Sequence, residues 1–256
     1  MKKTLVFSVA LNGYQWRYRS LLDSHRRYAE RNNYKYIAVT RPGLSILGME
    51  IAWLKIRLII EALHSGYDLI LFLDADTLVT DHAPPLTTPL QSGKDIYAAK
   101  GFSGRFNSGV LLINQSPYAK QFFNDILAMA TQPIPEEDDV GWGENGYLIH
   151  LAKHNSRFGE LDIRWNNNKL KVLNDYIRHY SYGPLFLDYR LPFQDYLLGR
   201  TYHYALAFLK RVNRIFKCVQ PPSRCEKTEF HEKLEQVTRS VLKSYPDFRC
   251  TASNFS

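Results

Sequence analysis

Apolar and polar positions over the first third of the chain follow a strand, helix, strand, helix, strand rhythm. Thr4-Leu-Val-Phe-Ser-Val-Ala10 is a β-branched and aromatic run that predicts a buried strand. Helical spacing then places Tyr18, Leu21, Leu22, His25, Tyr28 and Ala29 on one face, and Asn32-Asn33 ends the pattern. Tyr34 to Thr40 predicts a second strand, closed by Pro42-Gly43. A broadly apolar helix from about Met49 to His64 stops at Gly66. Asp68-Leu-Ile-Leu-Phe-Leu73 follows as the most apolar strand of the chain. An order of β-α-β-α-β requires a parallel sheet with helices packed on its faces.

Further along, Ile96 to Ala99 and Ser108 to Ile113 predict strands. Pro117 to Ala130 predicts a helix, with the proline at its start, where a missing N–H costs least. A loop with Pro133, Pro135 and the acidic run Glu136 to Asp139 is expected to be solvated. Glu144 to Lys153 predicts a helix, and Leu170 to Leu173 and Tyr176 to Tyr180 predict short strands. Beyond Pro192 to Arg200 the chain turns helical and basic.

Composition changes this picture little. Of 256 residues 45% are hydrophobic and 23% charged, an ordinary globular composition for which disorder is not the default. The net charge of +8 favours polyanionic partners such as nucleotide phosphates, nucleic acid or an anionic membrane face. Part of the excess is local, in Leu209-Lys-Arg-Val-Asn-Arg-Ile-Phe-Lys217. There Phe208, Leu209, Val212, Ile215, Phe216 and Val219 share a helical face, with Lys210, Arg211, Arg214 and Lys217 largely opposite. That face fits either packing on the domain or peripheral contact with anionic lipid. Cys218, Cys225 and Cys250 are too few for a disulfide framework and lack zinc-type spacing with histidine. The apolar run after Lys2-Lys3 is too short to span a bilayer or to serve as a signal peptide, so a cytoplasmic setting is expected.

The candidate chemistry lies at Asp74-Ala75-Asp76, just past the carboxyl end of the apolar strand, where open α/β sheets bind ligands. Side chains at i and i+2 of an extended segment point the same way, so both carboxylates can converge on one cation. Ala75 between them is small enough for a diphosphate to approach. Oxygen ligands suit Mg²⁺ or Mn²⁺. The bland alternative is a pair of turn residues capping a strand.

Ala52-Trp53-Leu54-Lys55, Ser65-Gly66-Tyr67-Asp68 and Leu71-Phe72-Leu73-Asp74-Ala75-Asp76 together resemble nucleotide-diphospho-sugar transferases of GT-A fold. The galactosyl/mannosyltransferases of yeast Golgi type and the glycogenin-like enzymes are the similar groups. His25-Arg-Arg-Tyr-Ala-Glu-Arg31 leading into Tyr34-Lys-Tyr36 is similar to a first helix and second strand of the former. Phe106-Asn107-Ser108-Gly109-Val-Leu-Leu-Ile-Asn114 resembles their Asn-x-Gly strand, and Trp142-Gly143-Glu144-Asn145-Gly146-Tyr147-Leu148 an acidic-Gln-x-x-Leu helix start. Leu161-Asp-Ile-Arg-Trp165-Asn166 resembles Leu-x-x-x-Trp-Asn. Ile177-Arg178-His179-Tyr180 with Gly183 resembles the element that supplies a third metal ligand.

This resemblance implies an α/β fold of GT-A (Rossmann-like) type, a mixed, mainly parallel sheet with a C-terminal helical appendage. Residues 1–195 would form the nucleotide-sugar-binding and catalytic domain, and residues 196–256 a basic helical extension. It implies Asp74, Asp76 and His179 as metal ligands for Mn²⁺ or Mg²⁺. Asn107 and Ser108 would contact the donor sugar, with Glu144, Asn145 and Asn107 at the reaction centre. Leu11, Asn12 and Tyr14 would face the base, with Lys55 and Ala75 beside the phosphates. The expected partners are a sugar nucleotide, UDP-linked by preference, and a glycan or glycolipid acceptor, with retention at the anomeric carbon. Two departures stand out: the lysine expected after His179 is missing, so that Arg178 or Lys171 must replace it, and Asn145 stands where glutamine is usual.

Other readings compete. His203 is a rival ligand to His179, Lys55 fits a solvated helix residue, and Glu144 fits a first-turn acid complementing a helix dipole. Trp53 and Trp165 fit core positions. Leu73-Asp74-Ala75-Asp76-Thr77 also fits the start of haloacid-dehalogenase phosphatases, with Asp74 as nucleophile. In that family this strand comes first, whereas here a βαβα unit precedes it. A basic nucleic-acid-binding domain is the non-enzymatic alternative, and no recognised module supports it.

Overall fold

The computed structural model describes residues 2–45, 47, 51–141, 143–217 and 226–248. The three cysteines and Trp142 lie outside the described residues, as do the side chains of Lys210, Arg214, Ile215, Phe216, Lys217 and Val219.

The expected βαβαβ unit is present. β1 (Thr4–Val9) is followed by a short helix α1 (Tyr14–Arg17), then α2 (Arg19–Arg31), β2 (Lys35–Val39), α3 (Ile51–His64) and β3 (Leu69–Leu73). β1 pairs in parallel with both β2 and β3. β4 (Thr77–Val79), β5 (Ile96–Ala99), β6 (Val110–Asn114) and α4 (Pro117–Met129) come next. They are followed by α5 (Asn145–Ala152), β7 (Phe158–Leu161), β8 (Ile177–His179), α6 (Phe193–Lys217) and α7 (Glu226–Ser244). The main sheet runs β2-β1-β3-β6-β5-β7, with β6 antiparallel to both of its neighbours and the other pairings parallel.

Successive side chains on each strand enter opposite cores, as the period of two demands. Leu5, Phe7, Ile70, Phe72, Leu111 and Ile113 pack with residues of α3, α4, α5 and α7. Their neighbours Val6, Leu69, Leu71, Leu73, Val110 and Leu112 pack on the other face with Tyr28 and Ala29 of α2. Both faces are covered, so β3 can be apolar at every position. Trp53 and Trp165 are core residues as expected.

Two expectations fail locally. Leu170 to Leu173 is not a strand; Val172 is 97% exposed. Asn167 explains this: its side chain accepts the amides of Lys169 and Leu170 and donates to the Leu170 carbonyl, holding a turn in place of an extended run. The acidic loop is not fully solvated either. Asp138 is buried and pairs with His150 and Lys153, which fastens the loop to α5 and its C-terminal end.

The helical appendage begins with α6, and the division expected after residue 195 falls inside this helix. Phe208 and Leu209 on its apolar face are exposed. Among the described residues no helix is long and apolar enough to cross a membrane.

Candidate active site and metal centre

The chain leaves β3 at Asp74 and doubles back as β4, and the turn is locked from behind. The Thr77 hydroxyl donates to the Asp74 carbonyl, 2.8 Å. His25 of α2, wholly buried, reaches the Thr77 carbonyl through Nε2 at 2.6 Å and the Ser8 hydroxyl through Nδ1 at 2.9 Å. A carbonyl can only accept, so Nε2 carries the proton and Nδ1 accepts from Ser8. Burial lowers the His25 pKa to about 4, against the opposing contact with Thr77.

The front of the turn is built by strands remote in sequence. β4 pairs antiparallel with β8, setting Thr77 opposite His179, and the Tyr180 amide donates to the Asp76 carbonyl at 3.0 Å. On the other side the Asp74 amide donates to the Gly109 carbonyl at 2.8 Å, extending the β3–β6 ladder to Asn107-Ser108-Gly109. The ligand atoms of Asp74, Asp76 and His179 thereby fall within 4.8 Å of one another. His203, the rival ligand, lies on α6 and is not part of this group.

The tautomer of His179 follows from a chain rooted in the backbone. The Gly109 amide donates to Asn107 Oδ1, 2.9 Å, which identifies that atom as the oxygen. Asn166 Nδ2 donates to the same oxygen, 2.9 Å. Asn166 Oδ1 therefore faces His179 Nδ1 at 2.9 Å and takes its proton. Nε2 is left pointing at the carboxylates, 3.2 Å from Asp76 Oδ1 and 3.9 Å from Asp74 Oδ2. It is buried and makes no aligned hydrogen bond. A buried lone pair beside two carboxylates is unfavourable unless a proton or a cation lies between them. Burial opposes the imidazolium, but Asp76 outweighs burial and holds His179 above the ordinary histidine value. Burial likewise opposes the Asp76 carboxylate, and His179 overcomes it and keeps that group below the usual carboxylate range. Asp74 is raised, because burial and the charge of Asp76 outweigh Lys55.

Gly109 makes the close approach of His179 possible. A Cβ at that position would stand 2.1 Å from His179 Cε1. The carboxylates remain open, with 36% of the Asp74 side chain and 21% of Asp76 exposed, so a ligand can enter from solvent. Two carboxylate oxygens and one oriented, unsatisfied imidazole nitrogen fit a divalent cation.

Beneath Asp74 lies a second, closed cluster. Lys55 Nζ is 2.5 Å from Glu144 Oε1 and 3.8 Å from Asp74 Oδ1, and it donates to the Ser108 hydroxyl at 3.0 Å. Ser108 Oγ donates to Glu144 at 2.6 Å. Burial would lower the Lys55 pKa, but Asp74 and then Glu144 outweigh it and hold the ammonium above its ordinary value. Lys55 is thus no solvated residue, and Glu144, 2% exposed, is no surface dipole partner. Both are buried and paired with each other inside the fold. Ser108 is equally committed and buried. Asn145 accepts the Ser108 amide through Oδ1, 2.8 Å, while its Nδ2 lies 3.5 Å from the Phe106 carbonyl.

The base-facing trio divides. Leu11 is 2% exposed, and its side chain belongs to the core because the chain turns sharply after Ala10; only its backbone can meet a ligand. Asn12 uses Oδ1 to accept the Ser45 amide. Tyr14 exposes its ring. Ala75 is buried, packed with Tyr18, Leu21 and Leu22. Arg178 and Lys171, the expected replacements for the missing lysine, are both engaged by carboxylates: Asp175 at 2.8 Å and Asp188 at 3.1 Å. Sequence reading left Asn166 without a role and gave Gly109 no steric one, although both stand inside quoted motifs.

No family model matches the chain, and no curated protein matches it. Among solved structures it is similar to a glycosyltransferase involved in glycosylation of the major capsid of PBCV-1. The two share 12% identity over 72% of this chain and 97% of that one, with a TM-score of 0.55. Glycosyltransferase GlyE of Streptococcus pneumoniae TIGR4 aligns at 17% identity over 88% of this chain and 66% of its own, with a TM-score of 0.47. Galactosyltransferase LgtC, solved with donor and acceptor sugar analogs, aligns at 17% over 71% and 87%, with a TM-score of 0.44. Neither of these two carries weight at that overlap. The mixed, mainly parallel sheet between helical layers, which aligns with the PBCV-1 structure over 97% of that chain, is a GT-A fold.

Proposed function

We propose that the chain is a metal-dependent glycosyltransferase that moves a sugar from a nucleotide-diphosphate donor, UDP-linked by preference, to a hydroxyl of a glycan or glycolipid. The observation that carries this reading is the orphaned Nε2 of His179 aimed at Asp74 and Asp76 at the carboxyl edge of a GT-A sheet. These three residues would hold the cation, and the imidazole nitrogen favours Mn²⁺ over Mg²⁺. When bound, the ion supplies positive charge against the departing diphosphate.

The remaining roles belong to the chain's own groups. The exposed Tyr14 ring offers a stacking face for the base, and the free amide of Asn12 an edge for hydrogen bonding. Asn107, two residues before the Gly109 whose carbonyl accepts the Asp74 amide, and the loosely held Nδ2 of Asn145 would donate to sugar hydroxyls. Ser108, Glu144 and Lys55 act one layer below as positioning residues, fixing Asp74 and the first turn of α5. Glu144 is spent on Lys55 and Ser108, so it is no general base. A leaving phosphate oxygen that accepts the acceptor's proton, with retention at the anomeric carbon, fits this arrangement and the resemblance to galactosyl/mannosyl and glycogenin-like enzymes.

A panel of sugar nucleotides screened for Mn²⁺-dependent thermal stabilisation tests the reading. Asp76→Ala should abolish both that shift and metal-dependent donor hydrolysis while the apo protein still melts cooperatively. Unchanged hydrolysis in this variant rejects the assignment. Turnover of a phosphate monoester with none of a sugar nucleotide would favour the phosphatase alternative.

A further inference from the structure

A nucleoside diphosphate needs cations beyond a single metal, and the obvious ones are occupied. Lys55 belongs to Glu144 and Asp74, Arg178 to Asp175 and Lys171 to Asp188. Unassigned positive charge lies instead in a cleft of about 370 Å³ between α1 and α6, of a size that suits a small ligand. Asn12, Gly13, Tyr14 and Arg17 form one wall, and Tyr196, Arg200, His203 and Tyr204 are on the other.

The packing of α6 against this loop is close and specific. Gly13 has φ +96°, and a Cβ there would stand 2.9 Å from Tyr202 Cβ and 3.2 Å from the Gly199 carbonyl. Neither Arg17 nor Arg200 is paired with a carboxylate among the described residues. Arg17 Nε is buried without an acceptor. Arg200 is clamped between two tyrosines, donating to Tyr196 Oη at 2.8 Å and to Tyr204 Oη, so its guanidinium is held in place and keeps further donors. The cleft adjoins the carboxylate turn: Tyr14 lines it and meets Tyr18 at a tilt, with ring centroids 5.3 Å apart, and Tyr18 packs against Ala75. The hydroxyls of Tyr14 and Tyr18 are raised first by burial and next by the charge of Asp76, consistent with that proximity.

Resting on the proposed function, we infer that α6 completes the donor site and that Arg17 and Arg200 bind the diphosphate of the nucleotide. An orphaned guanidinium N–H and a pre-oriented guanidinium plane are suited to phosphate oxygens, which accept in pairs. The helix beyond the conventional sheet thereby becomes part of the nucleotide pocket.

Calorimetric titration of the full chain with UDP, GDP and uridine in the presence of Mn²⁺ tests this. Wild type should bind one of the diphosphates. Arg17→Met and Arg200→Met should each weaken that binding about ten- to a hundred-fold, with uridine and Mn²⁺ affinity unchanged. Arg200→Lys, which keeps the charge and loses the fork, should lose less and covers the case in which Arg200→Met does not fold. Diphosphate binding undiminished in the variants overturns the inference and leaves the proposed function standing. Equal losses for uridine and diphosphate also overturn it, since the arginines would then only shape the pocket. Wild type that binds Mn²⁺ but neither diphosphate removes the proposed function and this subsite together.

Discussion

Two buried histidines flank the same turn, and their surroundings separate structure from chemistry. His25 stands behind Asp74-Ala75-Asp76 with both ring nitrogens satisfied, by Thr77 and Ser8. His179 stands in front, satisfied at Nδ1 by Asn166 and orphaned at Nε2. Both are almost completely buried. Their protonation nevertheless moves in opposite directions, lowered at His25 by burial and raised at His179 by Asp76 against burial. Burial of a histidine is therefore uninformative by itself. An unsatisfied nitrogen facing carboxylates is the informative feature, because a fold that keeps such an atom gains from it only when something binds there.

Breaking the front histidine should have the largest effect. His179→Ala is expected to weaken Mn²⁺ binding by at least about a hundred-fold, more than loss of an outer partner of a ligand costs, and to remove donor turnover. The apo protein should still melt cooperatively, at a somewhat lower temperature because Asn166 loses its partner. Metal binding by calorimetry and a thermal melt together check this, and a variant that keeps its Mn²⁺ affinity would contradict the assignment.

The rear histidine should show itself in acid. Its pKa is lowered from 6.5 unfolded to about 4 folded, so the unfolded chain binds the extra proton across that window. Stability is fully present above pH ~6.5 and is lost as pH falls toward ~4, by about 3 kcal/mol from this group. His25→Leu should flatten that limb of a denaturation-versus-pH series. It should also cost about 2 kcal/mol at neutral pH by leaving Ser8 and the Thr77 carbonyl without partners. Mn²⁺ affinity should fall far less than in His179→Ala; an equal fall would erase the contrast.

The smallest effect is expected from the relay. Asn166→Ala frees the His179 ring without removing a ligand and should weaken Mn²⁺ binding about tenfold. Asn166→Asp keeps the acceptor for Nδ1 but loses the donor to Asn107 Oδ1, so it should restore the affinity only in part. If alanine is harmless, Nδ1 does not need that partner.

The apolar run of β3 and the period of its neighbours reveal the βαβαβ unit, because local burial imposes local patterns. The position of Asp74 and Asp76 at a strand end is legible for the same reason. His25 is already placed on the buried face of its helix by spacing. The asparagine turn that keeps Leu170 to Leu173 out of a strand is not legible, since Leu-Lys-Val-Leu has strand composition and only the Asn167 side chain opposes it. Asp138 reads as solvated until α5 brings His150 and Lys153 over it.

The chain by itself thus determined the succession of the βαβαβ unit, the helices covering its sheet and the acidic pair at a strand end, since each depends on residues close in sequence. Only the tertiary structure decided what meets that pair. The β4–β8 ladder sets Thr77 opposite His179, Gly109 lets the imidazole approach, and Lys55, Glu144 and Ser108 close beneath Asp74 from three separate elements. Contacts of that kind depend on how packed layers bring distant segments together, which no local pattern records.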